Sequence, residues 1–228
     1  MLTDCQGLPV ANADAAAIKV LDHSLGQWLG YGKDFAPLAA LVEQAPDVPL
    51  AQMQMAALNL CMDEPAAHAA AGAQLAQADR RHADTTDRER AWLAAMMAWH
   101  GGALDDSAAG FEALVGTWPR DLFAAKLAQL LYFNLGDAEG MLRVADAVLP
   151  ANQADGYVHG MRAFALEELN RLDEAEEAGR HAVEIRRDDP WAHHAVAHVM
   201  ETQGRLDDGI AWMEGLADTW ESCNSFMY

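Results

Sequence analysis

A short turn pattern recurs four times along this chain, and its spacing constrains the fold more than any other sequence feature. The equivalent aspartates in the four copies are 32, 36 and 34 residues apart. Each turn joins an alanine- and leucine-rich helical pattern to a shorter, more charged one. Such a period is typical of tetratricopeptide repeats, which are helix–turn–helix units of about 34 residues. The copies read "GALDDSA" at 102–108, "NLGDAEG" at 134–140, "NRLDEAE" at 170–176 and "GRLDDGI" at 204–210, with the aspartates Asp105, Asp137, Asp173 and Asp207.

The spacing therefore predicts an all-α protein, a tetratricopeptide-like right-handed α-solenoid of stacked antiparallel helix pairs without a β-sheet. We predict one helical-repeat domain over 1–228, with divergent helices over 1–87, clearer repeats over 88–228 and a last unit at 190–220. Asp173 and Asp207 are predicted N-caps, since a carboxylate accepts hydrogen bonds from first-turn amides. The expected helices or helix pairs cover 12–30, 34–45, 49–62, 65–80, 88–118, 121–149, 155–169, 173–187, 190–202 and 207–219.

Composition narrows the class of function. Apolar residues make up 52% of the chain, which is enough for a folded core. The formal net charge of −20 argues against nucleic acid or an anionic membrane as partner, because no basic stripe offsets it. The three cysteines are scattered and odd in number, and no signal sequence or long apolar run occurs. These features predict an acidic cytoplasmic protein.

The stretch "PWAHHAVAHVME" at 190–201 carries the candidate site. On a helical wheel Trp191, His194, His198 and Glu201 fall within about 80° of arc. The opposite face is expected to pack against the next helix, with Val196, Ala197 and Met200 buried, and His193 is expected to be a packed core histidine. The first stripe is then left for the concave groove of the solenoid, where partners bind.

Three interpretations of this stripe stay open. The histidines are solvated groove lining, or they contact a ligand or partner, or they bind a metal. Two histidines at i and i+4 can share one divalent ion, and Glu201 one turn on is a candidate third ligand beside His194 and His198. Tyr157 and Phe164 lie on the corresponding face of the preceding helix, where they form an aromatic wall beside Trp191 or pack in the core.

Three segments resemble the tetratricopeptide repeat protein 38 family, also called StaR-like. The resemblance implies that this chain matches the N-terminal half of the family architecture, which continues past Phe226 with a histidine-rich run. It also implies a composite site, because the family carries the His-x-x-x-His-x-x-Glu pattern. Gln129 and Leu130 stand where that family is expected to have a His-Asp pair, so one ligand or base is missing here. The segments are "YFNLGD" at 132–137, "GYVHGMRAFALEE" at 156–168 and "DPWAHHAVAHVMETQGRLDDGIAWM" at 189–213.

The sequence favours a helical-repeat binding or scaffold module, whose concave groove holds a peptide, a protein or a small ligand. The alternative is a metal- or cofactor-dependent enzyme, or half of one, that uses His194, His198 and Glu201. A homodimer is a further expectation. It rests on the apolar residues near the C-terminal end, where no polar capping helix follows. These are Trp220, Phe226, Met227 and Tyr228.

Overall fold

The computed structural model describes residues 1–224, apart from the side chain of His82. Over that range nearly all regular structure is helical, and the predicted all-α, tetratricopeptide-like class is confirmed. Three short 3-10 helices cover His82–Asp84, Leu149–Ala151 and Ala217–Ser222. The α-helices are α1 (Ala15–Leu29), α2 (Ala36–Gln44), α3 (Pro49–Cys61), α4 (Pro65–Asp79), α5 (Asp87–His100), α6 (Leu104–Thr117), α7 (Leu122–Leu135), α8 (Ala138–Val148), α9 (Gly156–Glu168), α10 (Leu172–Ile185), α11 (Pro190–Thr202) and α12 (Leu206–Glu214).

The expectation of no β-sheet is wrong at the N-terminus. Strand β1 (Leu2–Thr3) pairs antiparallel with β2 (Pro9–Val10). The Asp4 carboxylate closes the hairpin, because its Oδ1 accepts hydrogen bonds from two amides of the loop, Gln6 N at 3.0 Å and Leu8 N at 2.9 Å. Gly7 supplies the positive φ of +76° that the turn requires.

The repeat is more regular in the backbone than the spacing of the aspartates indicates. Just beyond the C-terminal ends of α5, α7, α9 and α11, a single residue adopts a left-handed φ. These residues are Gly102, Gly136, Asn170 and Gly204. These positions are 34 residues apart in every case. After each of them the next amide donates to the carbonyl five residues back, as Asp137 N does to Tyr132 O at 2.9 Å. The helix ends are therefore Schellman-type caps, and they set a period of 34.

The helix starts follow the same period, but not at the aspartates that we expected. Asp121, Asp155 and Asp189 lie 34 residues apart, and each accepts a hydrogen bond from a first-turn amide. The expected caps at Asp173 and Asp207 are wrong. Those helices begin one residue earlier, so both carboxylates lie inside the first turn, where they interact with the helix dipole instead.

The contacts within the chain divide it into two compact units. Unit 1 comprises 1–26 and 34–124, and unit 2 comprises 27–33 and 125–228, described here to residue 224. The expected change of repeat character at residue 88 does not coincide with this boundary, and the single domain over 1–228 stays a prediction. In unit 1, α3 packs on α4 and α5 on α6. In unit 2, α9 packs on α8, α10 and α11, and α11 packs on α12.

The cores of both units are apolar. In unit 1 the fully buried Trp92 contacts Phe111 and Phe123, with ring centroids 5.1 Å apart in each pair. All three cysteines are free. Within residues 1–224 no helix combines the length and the apolar character that crossing a membrane requires.

Candidate functional site

A pocket in unit 2 contains the most unusual side-chain chemistry of the described chain. It is small and partly open, and its empty space of about 240 Å³ includes solvent at the mouth. Helix α7 contributes most of its lining, and α9, α11 and the loop that follows α1 contribute the rest. The lining residues are Tyr31, Lys126, Gln129, Leu130, Phe133, Phe164 and Trp191.

Aromatic rings form the walls of this pocket. Phe164 stacks on Trp191 with ring centroids 4.3 Å apart, and Tyr31 meets the edge of the same indole at 5.1 Å. Phe133 lies 5.3 Å from Phe164 and is 42% exposed, so it stands at the mouth of the pocket. Offset and edge contacts at these separations are favourable ring geometries. The walls therefore hold their shape without a ligand.

Tyr31 is held in place by the end of the described chain. Its φ of 52° lies in the left-handed region, which costs free energy for a residue with a side chain. The carbonyl of Tyr31 accepts a hydrogen bond from Asn224 N at 2.7 Å, and Gly32 forms an antiparallel bridge with Cys223. Lys33 Nζ adds a hydrogen bond to Glu221 O at 2.9 Å. These contacts fix the loop and so aim the Tyr31 ring at the pocket.

Lys126 brings a charge into this apolar setting. The side chain is 6% exposed, and its Nζ lies 4.6 Å from the ring centroid of Tyr31 and 4.7 Å from that of Trp191. The two rings offer cation–π attraction, but no described carboxylate forms an ion pair with Nζ within 4.0 Å. Burial lowers the pKa of Lys126, and the negative charge of Asp189 opposes that shift.

Asp189 shares the buried region with Lys126. Its Oδ1 accepts a hydrogen bond from Trp191 N at 3.1 Å and so caps α11, whereas its buried Oδ2 has no hydrogen-bond partner. Burial raises the pKa of Asp189, and Lys126 counteracts part of that rise. Gly160 gives this carboxylate its room, because a Cβ built on Gly160 would stand 1.9 Å from Oδ2.

Two hydrogen-bond donors of the pocket are left over. The side-chain amide nitrogen of Gln129 is not one of them, because it donates to two backbone carbonyls, those of Met141 at 3.3 Å and Met161 at 2.8 Å. The indole nitrogen of Trp191 has no hydrogen-bond partner, and water cannot replace one because the residue is only 8% exposed. The Trp191 N–H and the Lys126 ammonium therefore have no acceptor within the described protein.

The structure divides the predicted stripe on α11. Trp191 is buried in the pocket, His194 and His198 are half-buried, and Glu201 is exposed. The ring of His194 lies 5.2 Å from that of Trp191 and 4.2 Å from that of His198. Burial is the main cause that lowers the pKa of His194 to about 4, and the neighbouring His198 adds to it. The two imidazoles thus adjoin the pocket without lining it.

The opposite face of α11 is mostly as expected. Val196 and Met200 are buried, but Ala197 is half-buried, so that part of the prediction is wrong. The wheel places Ala197 at the edge of the buried face. His193 is confirmed as a core histidine, since it is 1% exposed and its Nε2 lies 2.8 Å from Arg187 O.

The predicted metal ligands are not brought together. Within the described part of the chain, no group of three or more histidine, cysteine, aspartate or glutamate side chains is arranged to hold a metal ion. Instead of Glu201, the neighbour of His198 is Glu167 on α9, with 3.6 Å between Nδ1 and Oε1. Burial raises the pKa of Glu167. The i,i+4 histidine pair thus has no third ligand at Glu201.

Of the two predicted wall residues, only Phe164 lines the pocket. Tyr157 is buried beside Arg186, whose guanidinium carbon lies 4.4 Å from the ring centroid. The sequence analysis missed Tyr31, Lys126 and Phe133. The 34-residue period could have indicated Lys126, because this lysine occupies the repeat position that Gly160 and His194 occupy in the next two repeats, and His194 was already a candidate site residue.

The C-terminal expectation is met only in part by the described residues. Trp220 is half-buried and donates from Nε1 to His193 Nδ1 at 3.0 Å, so it is engaged within unit 2. Phe226, Met227 and Tyr228 lie outside the described residues. On α12, however, Leu206 and Ile210 are 59% and 57% exposed.

A second cavity, in unit 1, is polar and internally paired. It has an empty volume of about 280 Å³ and is lined in part by Arg88, Asp4 and Asp121. Arg88 Nη1 lies 3.2 Å from Asp4 Oδ2 and 3.3 Å from Asp121 Oδ2. Asp121 Oδ2 also accepts from Trp92 Nε1 at 2.8 Å. The network ties the N-terminal hairpin to α5, so its role is structural.

No protein-family model matches the sequence. Among solved structures, "MamA MSR-1 C2" is 21% identical with a TM-score of 0.49 and covers 75% of this chain and 97% of its own. "MamA AMB-1 P212121" is 20% identical with a TM-score of 0.48 and covers 78% of this chain and 96% of its own. Both are weak likenesses, and none of the inferences below depends on them.

Proposed function

We propose that this chain is a helical-repeat binding module, and that the pocket of unit 2 holds a small ligand through one planar apolar group. The observation that carries the proposal is the ring enclosure by Tyr31, Phe133, Phe164 and Trp191. Because its walls are aromatic rings and the space between them is small, the pocket favours one planar or branched apolar group and nothing larger.

This proposal refines the expected groove site. Trp191 and Phe164 remain its binding residues, and His194 and His198 become neighbours that border the bound group. Glu201 and Tyr157 have no direct role in it. We also propose that the chain is related to the tetratricopeptide repeat protein 38 family, which residues 156–213 resemble. A cytoplasmic location is proposed as well, and the scattered cysteines support it.

The enzyme alternative has less support. It needs His194, His198 and Glu201 to act together on a divalent metal or a substrate, yet Glu201 is exposed and the described residues supply no three-ligand group. A homodimer through α12 also stays a proposal, supported by the exposed Leu206 and Ile210. Equilibrium sedimentation of Ile210→Glu beside the wild type tests it, and an unchanged monomeric mass for both would end it.

The binding proposal is tested with a library of single-ring fragments, screened by protein NMR on the Trp191 indole resonance. We expect some fragments to shift that resonance, and Phe133→Ala to weaken them about tenfold, since a wall at the mouth is removed. Leu135→Ala is the matched control, because Leu135 is 36% exposed on the same helix and does not line the pocket. If no fragment shifts the Trp191 indole, the proposal is wrong.

A further inference from the structure

We infer that the ligand of the unit 2 pocket carries a carboxylate, which Lys126 and the Trp191 indole N–H bind while the rings hold its apolar body. This inference rests on the proposed function and names the chemical class of the ligand. It is carried by two buried donors that belong to lining residues of one small pocket and have no acceptor in the described protein.

The donors define the kind of group that is missing. Trp191 Nε1 can only donate, and a protonated lysine can only donate. Each is more than nine-tenths buried, at 8% and 6% exposure, and a buried donor without an acceptor costs free energy. A carboxylate offers two acceptor oxygens, so one group can satisfy both donors.

The charge distribution favours an anion over a neutral acceptor. Asp189 is the negative group that acts on Lys126, but it forms no ion pair with Nζ within 4.0 Å. One of its oxygens is committed to the cap of α11. The rings attract the ammonium without neutralising it. A bound carboxylate would give Lys126 a direct counter-ion, whereas an amide carbonyl would leave the charge uncompensated.

The titratable groups around the pocket all predict that the affinity for a carboxylate falls as pH rises. Binding requires Lys126 protonated, and burial lowers the pKa of this lysine, so affinity falls as pH rises past neutrality. Asp189 at the start of α11, itself influenced by Asp155, adds to the trend, because ionising it places a second anion near the first. His194 stays neutral from about pH 6 upward, since its pKa is lowered to about 4.

Isothermal titration calorimetry with phenylacetate and its neutral isostere phenylacetamide tests the inference. At about pH 6 we expect the wild type to bind phenylacetate at least about tenfold more tightly than the amide, and less tightly at about pH 8.5. Lys126→Met should abolish the preference. Lys19→Met, which removes the same charge from an exposed site in unit 1, should leave it unchanged.

Each outcome decides between the two proposals. If both compounds bind equally well to the wild type, the carboxylate inference is wrong and the ring pocket stands. If neither binds and the fragment screen also fails, the pocket itself is not a ligand site. Should Lys126→Met lose its helical circular dichroism, Trp191→Phe serves instead, because it removes the indole donor and keeps an aromatic, although smaller, ring at this position. If Trp191→Phe binds phenylacetate as tightly as the wild type does, the inference that one carboxylate contacts both Lys126 and the Trp191 indole is wrong.

Discussion

Among the described residues, each unit buries one lysine or arginine, and the two side chains are held in opposite ways. In unit 1, Arg88 is 2% exposed and reaches two carboxylates, Asp4 and Asp121, within 3.3 Å. In unit 2, Lys126 is 6% exposed and reaches two aromatic rings but no carboxylate within 4.0 Å. The paired cation has its counter-charges within the fold, although the buried Nε of Arg88 has no hydrogen-bond partner. An unpaired one keeps its desolvation cost, and the proposed carboxylate ligand would offset that cost.

The side-chain types suit these different surroundings. A guanidinium is planar and stays charged, so it can bridge several fixed acceptors, as Arg88 does between the hairpin and α5. An ammonium is a compact charge whose pKa shifts readily on burial, as it does at Lys126. The comparison therefore separates a cation paired by the fold from one that the fold leaves unpaired, and the following variants test that separation.

Removing the paired cation should have the largest effect. Arg88→Met leaves Asp4 and Asp121 buried without their counter-charge, and breaking a buried ion pair in this way costs about 3–5 kcal/mol. We expect that loss in urea unfolding, together with faster hydrogen exchange in peptides of unit 1. Arg143→Met is the control, since Arg143 is 52% exposed and 3.7 Å from Asp137, a surface pair worth about 0–1 kcal/mol. Equal losses for the two variants would remove the structural role of Arg88.

Filling the space beside Asp189 should have the next largest effect. A Cβ on Gly160 would collide with Asp189 Oδ2, so Gly160→Ala must displace the cap of α11. Overpacking of this kind costs about 1–3 kcal/mol. Gly116→Ala is the matched helical control, because nothing lies within 4 Å of its Cβ, and there we expect a gain of about 0.5–1 kcal/mol. A stabilised Gly160→Ala would show that the carboxylate moves freely.

The contrast between these sites also shows what a sequence can reveal. The helices were predictable, and α11 begins and ends where its pattern does, because apolar spacing and the capping aspartate act locally. The left-handed period through Gly102, Gly136, Asn170 and Gly204 was also present in the sequence. The pocket was not predictable in the same way. Tyr31 reaches it only through a loop fixed by Cys223 and Asn224, almost two hundred residues away, and no local pattern encodes that contact.

Replacing the unpaired cation should stabilise the protein slightly. Lys126→Met keeps most of the apolar stem and removes a buried charge that forms no ion pair, which relieves the desolvation cost of that charge. We expect a gain of about 1 kcal/mol in urea unfolding at neutral pH. The gain is small because Asp189 loses its neighbouring cation, which offsets part of it. The sign is opposite to that for Arg88→Met. A loss of more than about 1 kcal/mol would mean that Lys126 is a structural cation too.

The smallest expected effect tests whether pairing, and not the unit, decides this behaviour. Unit 2 contains a paired cation of its own, Arg205, which donates from Nη1 to Glu176 Oε2 at 2.7 Å. That hydrogen bond, aided by Arg180, lowers the pKa of Glu176 to about 2. A lowered carboxyl pKa contributes stability above the unfolded value of 4.5 that is lost as pH falls toward about 2. Urea midpoints at about pH 5 and about pH 3 should therefore fall more for wild type than for Glu176→Gln. Parallel midpoints would mean that solvent screens this half-exposed pair, and only burial would then distinguish Arg88 from it.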